Sequence, residues 1–297
     1  MRKKLFMLYG AVSLLAGCIL WYVFCLPEPL FSDPVSIVLL DNRNEILGAQ
    51  IASDQQWRFP YKNDVPEKYR KCLICFEDKR FYSHAGFDPI AFVRAMVQNV
   101  STGEKKSGGS TITMQVIRLQ RKGKVRSVGE KIIETIMATR LELGYSKDEI
   151  LALYASNAPF GGNIVGLDAA SWRYFGRTPD KLSWAESAML AVLPNSPSLI
   201  HTGKNRELLK LKRNRLLKKL YLNHEIDSLT YVLALDEDIP AHPYPYPMHA
   251  RHLVGRANSE IPNSRRLGPM ITTINKEIQE KVLAIATTHQ RSLAHNE

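Results

Sequence analysis

A mainly α-helical chain, carried behind one membrane-spanning helix and a short β-hairpin, is the fold class that the sequence predicts. Three patterns predict it. Residues 5–26 form an uncharged apolar run, two short apolar runs are hinged at Asp41-Asn42-Arg43-Asn44, and capped helix starts recur from residue 64 to 220 without strand alternation of comparable strength. With 45% hydrophobic and 23% charged residues among 297, the chain can bury a real core as one large domain or two smaller ones, which excludes a disordered tail.

The apolar run is the first element. At about 1.5 Å per residue, residues 5–26 suffice to cross roughly 30 Å of hydrocarbon. Arg2, Lys3 and Lys4 precede the run and Glu28 follows it. The positive-inside rule therefore leaves residues 1–4 as a cytoplasmic tail and places everything after residue 27 outside, with Trp21 and Tyr22 near the outer interface. A cleaved signal peptide is the competing reading, and Leu15-Ala16-Gly17-Cys18 resembles a lipoprotein cleavage box. The run continues as ILWYVFCL beyond Cys18, where a processed lipoprotein turns polar, which favours an uncleaved anchor. Cys72 and Cys75, the only cysteines beyond the run, form a lone C-x-x-C in a helical stretch. That is weak as a zinc signal, and both thiols are expected to face the core or each other.

After the anchor, PVSIVLLDNRNEILGAQIA reads as a hairpin inside a membrane-proximal segment, residues 27–60. A helix is expected from Asp64, as cap, with Pro66 early, through to Glu77-Asp78, and another from the Asp88-Pro89 start. Further helices follow over TITMQVIRL, over EKIIETIMATRLEL, and from the boxes Ser146-x-x-Glu149 and Ser183-x-x-Glu186. STGEKKSGGST, residues 101–111, has no apolar period and reads as a mobile loop. Residues 205–220, NRELLKLKRNRLLKKL, predict a helix with a solvated basic face, a face that also suits acidic membrane head groups. AHPYPYPMHARH reads as an extended connector, in which His242, His249 and His252 are weak metal candidates on spacing alone.

Three stretches carry groups that can move protons or hold phosphate, and each has a plainer reading. EDKRFYSHAGFD sets Glu77-Asp78 beside Arg80, Phe81 and His84, where an acidic pair next to an arginine is ordinarily a helix-end salt bridge. GGSTITMQVIR offers backbone freedom at Gly108-Gly109, hydroxyls at Ser110 and Thr111, and a helix start that attracts phosphate. Thr111, Gln115 and Arg118 share one helical face, although ordinary capping explains the hydroxyls as well. Lys131 and Glu134 stand one turn apart, a spacing that commonly makes a surface ion pair. The net charge of +11 suits a phosphate-bearing or anionic-surface partner. Nucleic acid is not expected, because the charge does not gather around aromatics in a groove-reading motif.

Taken in order, five stretches resemble the family 51 peptidoglycan glycosyltransferases, the polymerase module of class A penicillin-binding proteins. They are EDKRFYSHAG from Glu77, GGSTITMQVIR from Gly108, EKIIETIMATRLE from Glu130, KDEILALYASNAPFGGNIVGLDAASWRYFGR from Lys147 and LSWAESAMLAVLPNSPS from Leu182. The form APFGGN looks most like the 1C branch. The resemblance implies a lysozyme-like helical lobe over residues 61–222 with a small membrane-associated jaw. It also implies polymerisation of lipid II into β-1,4-linked glycan, with release of undecaprenyl pyrophosphate. By the same resemblance Glu77 is the catalytic base and Glu134 the second carboxylate. Arg118 and Lys131 match phosphate-contacting cations, and Asp78, Phe81, His84, Gly109, Ser110, Thr111, Gln115 and Asn157 fall at substrate-binding positions. A divalent cation, Mg2+ or Mn2+, is the implied cofactor. The implied partners are lipid II, the growing lipid-linked glycan, the cytoplasmic membrane and other cell-wall synthesis proteins, at a bacterial inner membrane with the catalytic part on the periplasmic side.

The chain departs from the family pattern. Glu130 stands where a basic residue commonly precedes the third-motif lysine, Arg118 replaces the more usual lysine, and Tyr154 is followed by Ala155-Ser156-Asn157 rather than by the usual Tyr-x-Asn. No Ser-x-x-Lys and no Lys-Thr-Gly occurs, so residues 223–297 are expected to be a linker toward a transpeptidase domain that this sequence lacks. Two other readings stay open: a lysozyme-like glycoside hydrolase, which also uses paired carboxylates, and an inactive cell-wall assembly scaffold.

Overall fold

The structure is a computed structural model that describes residues 2–102, 109–122, 124, 127–195, 205–261 and 268–294. Twelve α-helices and a few short strands occur among them, so the mainly α expectation holds. Most of the stretch read as a mobile loop, residues 103–108, lies outside the described residues. The chain divides into two compact units, Met1–Asp33 with Glu77–Tyr154, and Pro34–Phe76 with Ala155–Glu297.

The first unit begins with α1, Arg2–Phe24. Its window Phe6–Phe24 has a mean hydropathy of 1.9 and none of it is buried, so it is long and apolar enough to cross a membrane. At the far end of α1 the Tyr22 hydroxyl lies 3.2 Å from Thr139 Oγ1, and Arg140 Nε donates to the Val23 carbonyl at 3.3 Å. Helix α2, Glu67–Glu77, enters this unit only with its last residue, Glu77. Its first backbone bond runs from Arg70 N to the Pro66 carbonyl, so the helix starts after Pro66. Helix α3, Pro89–Thr102, is capped as expected by Asp88, which accepts from Ala91 N at 2.9 Å. It turns Ile90, Val93, Met96 and Val97 outward.

Two helices make the core of this unit. In α4, Ile112–Gln120, and α5, Val128–Gly144, the buried Ile112, Met114, Val116 and Ile117 meet the buried Met137, Ala138 and Leu141. Thr111 caps α4 through its side chain and Ser127 caps α5. On its open side α5 exposes Val128, Ile132 and Ile136. Helix α6, Lys147–Asn157, starts with the expected Ser146/Glu149 reciprocity: Glu149 Oε2 accepts from Ser146 N at 2.7 Å, and Ser146 Oγ from Glu149 N at 3.3 Å.

Two glycines set close approaches in this unit. Gly86 has φ +86°, and a Cβ there would lie 2.6 Å from the Ala138 carbonyl oxygen on α5. Gly109 is buried, and a Cβ would meet Phe92 Cα on α3 at 2.9 Å. Gly109 thus admits α3 to the chain before α4, a packing role in place of the backbone freedom expected of it. Gly86→Ala adds left-handed strain to a clash with backbone that cannot swing aside. It is expected to destabilise the protein by about 2–5 kcal/mol, measured as a lowered urea midpoint at unchanged slope.

In the second unit, β1, Ile37–Leu40, pairs antiparallel with β2, Ile46–Gln50, in the predicted hairpin. Asp41 makes the hinge, its Oδ1 accepting from the backbone N–H groups of Arg43 and Glu45 at 2.8 Å each. Strands β3, Trp57–Arg58, β4, Pro159–Gly161, and β5, Ile164–Val165, form a second small sheet in the order β3-β5-β4. Helices α7, Leu167–Phe175, α9, Arg206–Leu222, and α10, Ser228–Asp236, pack around α8, Trp184–Val192, which opens with the complete Ser183/Glu186 capping box. Arg213 on α9 is buried and donates to the Glu237 carbonyl at 2.5 Å, so the basic face is not wholly solvated as expected.

The later residues fold back onto this unit. Val254 and Ala257 of α11, Arg251–Glu260, join Ile37, Leu39 and Leu47 in one apolar cluster. Strand β6, Met270–Ile271, adds parallel to β1 ahead of α12, Lys276–Ala294. The connector is extended yet pinned, with the Tyr246 ring 4.1 Å from that of Trp57. Among the described residues no three His, Cys, Asp or Glu group as a metal set, so His242, His249 and His252 do not form one. Cys72 and Cys75 are buried, as expected, and form no disulfide; Cys75 Sγ accepts from Asn223 Nδ2 at 3.6 Å.

Candidate active site

One face of α4 organises the first unit's polar groups. Thr111, Gln115 and Arg118 recur at helical spacing, and each reaches a different segment. Thr111 Oγ1 donates to the Gly86 carbonyl at 2.6 Å, Gln115 Nε2 donates to Glu77 Oε2 at 2.8 Å, and Arg118 grips Glu134. Gln115 and Arg118 are three residues apart on this face, and the Arg118 charge that grips Glu134 also acts on Glu77.

Glu77 is half-buried at the end of α2, where the chain leaves the helix. Burial is the main reason its carboxyl is pushed up to about 7; the Gln115 amide opposes that, the neighbouring Asp78 charge adds to it, and Arg118 opposes it again. A carboxyl poised there is half ionised at neutral pH, which is what a general base requires.

Asp78 turns away from Glu77. Its carboxylate meets His84 Nε2 at 3.0 Å and accepts the Ile112 backbone N–H at 3.0 Å, tying the turn after α2 to the first turn of α4. Phe81 is fully buried beneath this turn and His84 nearly so, with Lys147 Nζ 4.4 Å from the Phe81 ring centroid and donating to the His84 carbonyl at 2.6 Å. Phe81 offers a ligand no surface, and Asp78, His84 and Thr111 are spent on holding the turn. Arg80 does not make the helix-end salt bridge with the acidic pair; it turns to Asp88 with contacts of 3.0 and 2.6 Å.

Glu134 is buried, and both of its oxygens take the Arg118 fork, Nε at 3.0 Å and Nη2 at 2.8 Å, with Ser110 Oγ 3.3 Å from the same Nη2. The local Lys131–Glu134 ion pair that the spacing suggested is not formed among the described residues. Lys131 Nζ instead lies 4.9 Å from the Phe92 ring centroid. Glu130, in the usual basic position, captures the guanidinium of Arg121 from the end of α4, which holds the Glu130 carboxyl below its usual range. Asn157 is the last residue of α6 and belongs to the second unit.

Sequence reasoning missed three supports. Glu142 accepts from Thr113 Oγ1 at 2.6 Å and from Lys147 Nζ at 2.7 Å, and Lys147 joins it to the His84 turn. Glu142 and Lys147 stand five residues apart across a helix break, a spacing that carries no periodic signal. The Arg121–Glu130 pair joins two different helices and is equally silent in a local pattern.

Fold and centre together define a mainly α chain with one apolar N-terminal helix and a carboxylate centre built on a single helix face. The chain belongs to the transglycosylase family, whose model matches residues 44–221, from within the hairpin to near the end of α9. It is 43% identical to penicillin-binding protein 1C of Escherichia coli strain K12 over 169 residues, 57% of this chain and 22% of that one. It is 34% identical to penicillin-binding protein 1A of Pseudomonas aeruginosa over 226 residues, 73% of this chain and 27% of that one. A crystal structure of penicillin-binding protein 1A from Haemophilus influenzae aligns with a TM-score of 0.40 at 19% identity, covering 77% of this chain and 24% of that one. The chain thus spans about a quarter of the length of the curated relatives it matches.

Proposed function

We propose that the chain is a peptidoglycan glycosyltransferase that polymerises lipid II, and that the α4 face is its reaction centre. Glu77 takes the proton from the GlcNAc 4-hydroxyl of the acceptor. The freed oxygen pair attacks C1 of the donor's terminal MurNAc, the C1–O bond to the diphosphate breaks with inversion, and undecaprenyl pyrophosphate departs with that bond's electrons. Arg118 and Lys131 meet the leaving charge, Glu134 fixes the plane of the Arg118 fork, and Ser110 and Gln115 line the donor side. The observation that carries this reading is one helix face on which Gln115 holds Glu77, a carboxyl pushed up to about 7, and Arg118, whose charge reaches Glu77, is held as a fork by Glu134.

The same observation weighs against hydrolysis. A glycosidase needs its second carboxyl free as an acid or nucleophile, whereas both Glu134 oxygens are engaged by Arg118. A divalent cation remains a proposal. Among the described residues no protein cage for one is formed; Mg2+ and Mn2+ are commonly held by one or two carboxylates plus substrate phosphates, and Glu134 would serve only by releasing one oxygen from the Arg118 fork. Such an ion would offset charge on the diphosphate. We also propose that α1 anchors the chain in a bacterial inner membrane with the remainder on the periplasmic side, on the asymmetry between Arg2-Lys3-Lys4 and Glu28. The outward apolar faces of α3 and α5 then serve as the membrane-touching jaw.

Fluorescent lipid II incubated with the detergent-solubilised chain is expected to lengthen into glycan. Digestion of finished glycan in its place would select the hydrolase, and neither product would select a scaffold.

A further inference from the structure

An open cavity of about 450 Å3, within the range of small-molecule sites, lies where the anchor meets the end of α4. It is lined by the apolar Phe24, Pro27 and Met137 and by the cations Arg121, Lys122 and Lys124. None of these groups is used in the proposed reaction. We propose that this cavity binds the phosphodiester head of an anionic membrane phospholipid, a reading that rests on α1 being a membrane anchor.

Depth, charge and hydrogen bonding each narrow the ligand. Phe24 is the last residue of the membrane-spanning window, so the cavity stands at head-group level. Arg121 is matched by Glu130 and Lys122 by Asp33, while Lys124 makes no ion pair among the described residues. Three lining cations against two paired carboxylates leave positive charge over, which suits the single negative charge of a phosphodiester. Gln120 also lines the cavity, and its Oε1 is buried without a hydrogen-bond partner. That acceptor suits the hydroxyls of a glycerol head group. The carbonyl end of α4 would by itself draw cations, but it explains neither the apolar lining nor the orphaned acceptor.

Native mass spectrometry of the full chain, ejected from nanodiscs of equal phosphatidylglycerol and phosphatidylcholine, tests this. The chain is expected to retain phosphatidylglycerol in preference to phosphatidylcholine, and millimolar inorganic phosphate should not displace it. Lys124→Glu should cut that retention by about tenfold. Met137→Trp, which fills the space without changing charge, should do the same. Lys124 is on the surface, so Lys124→Glu keeps the test open if the core change harms folding. Equal retention of the two lipids, retention unchanged in Lys124→Glu, or displacement by inorganic phosphate would overturn the assignment. Retention is read without turnover, so lipid II polymerisation by the same preparations reports separately on the proposed activity.

Discussion

Glu77→Gln is expected to lower lipid II polymerisation by about 10²–10⁴, the usual contribution of a positioned base, while the protein becomes more stable above neutral pH. The two effects have one cause. The Glu77 carboxyl is raised from an ordinary 4.5 to about 7, chiefly by burial, so the folded state resists ionisation that the unfolded chain accepts freely. Below pH 4.5 both states are protonated and there is no penalty. Between 4.5 and 7 the penalty grows, and above 7 it is complete at up to about 3 kcal/mol. Glutamine never ionises and still offers Gln115 an acceptor, so the stability advantage of the variant should appear and widen across that window. Thermal melts at pH 5 and pH 8 measure it, and a variant less stable than the parent at pH 8 would remove the buried-base account.

The pH profile of the unmodified chain follows from the same carboxyl. The base acts when ionised, so the rate should rise about tenfold per pH unit below 7 and level off above it. A structural carboxylate would leave that profile flat, and near-normal turnover by Glu77→Gln would take Glu77 out of the reaction.

What could be read in advance divides along the distance over which residues interact. The hairpin hinge at Asp41, the Ser146 and Ser183 boxes and the Asp88-Pro89 start are decided within a few residues, and the structure has them where the sequence put them. The shared face of Thr111, Gln115 and Arg118 was legible because helical period alone fixes it. Their partners were not. Local spacing offered Lys131 to Glu134, but α4 packs on α5 and delivers a planar fork from sixteen residues away, which satisfies both buried oxygens where one ammonium cannot. In the same way an amphipathic pattern marks Arg213 as exposed, since it cannot show the Glu237 carbonyl waiting beneath it. Parallel pairing of β6 with β1 joins residues at opposite ends of the chain and leaves no trace in a local window.

The second large effect is expected at Arg118. Arg118→Leu leaves Glu134 buried with its counter-ion gone, a change that costs about 3–5 kcal/mol in closed sites and should fall near 3 here, because the Arg118 side chain is 35% exposed. Polymerisation should fall as well, for the leaving diphosphate loses a cation. Loss of activity in this single variant is therefore ambiguous between unfolding and chemistry, and the double variant Arg118→Leu/Glu134→Gln separates them. Removing the stranded charge should restore most of the lost stability, giving a strongly non-additive cycle in urea unfolding. Activity should not return, because glutamine replaces neither the cation nor the carboxylate that aligned it. Arg118→Lys is the intermediate case: one ammonium keeps the charge, meets only part of the two-oxygen geometry, and should lose less stability than leucine while still slowing the reaction. If the double variant recovered stability and turnover together, the Arg118–Glu134 pair would be a structural clamp and the diphosphate would have to be held elsewhere.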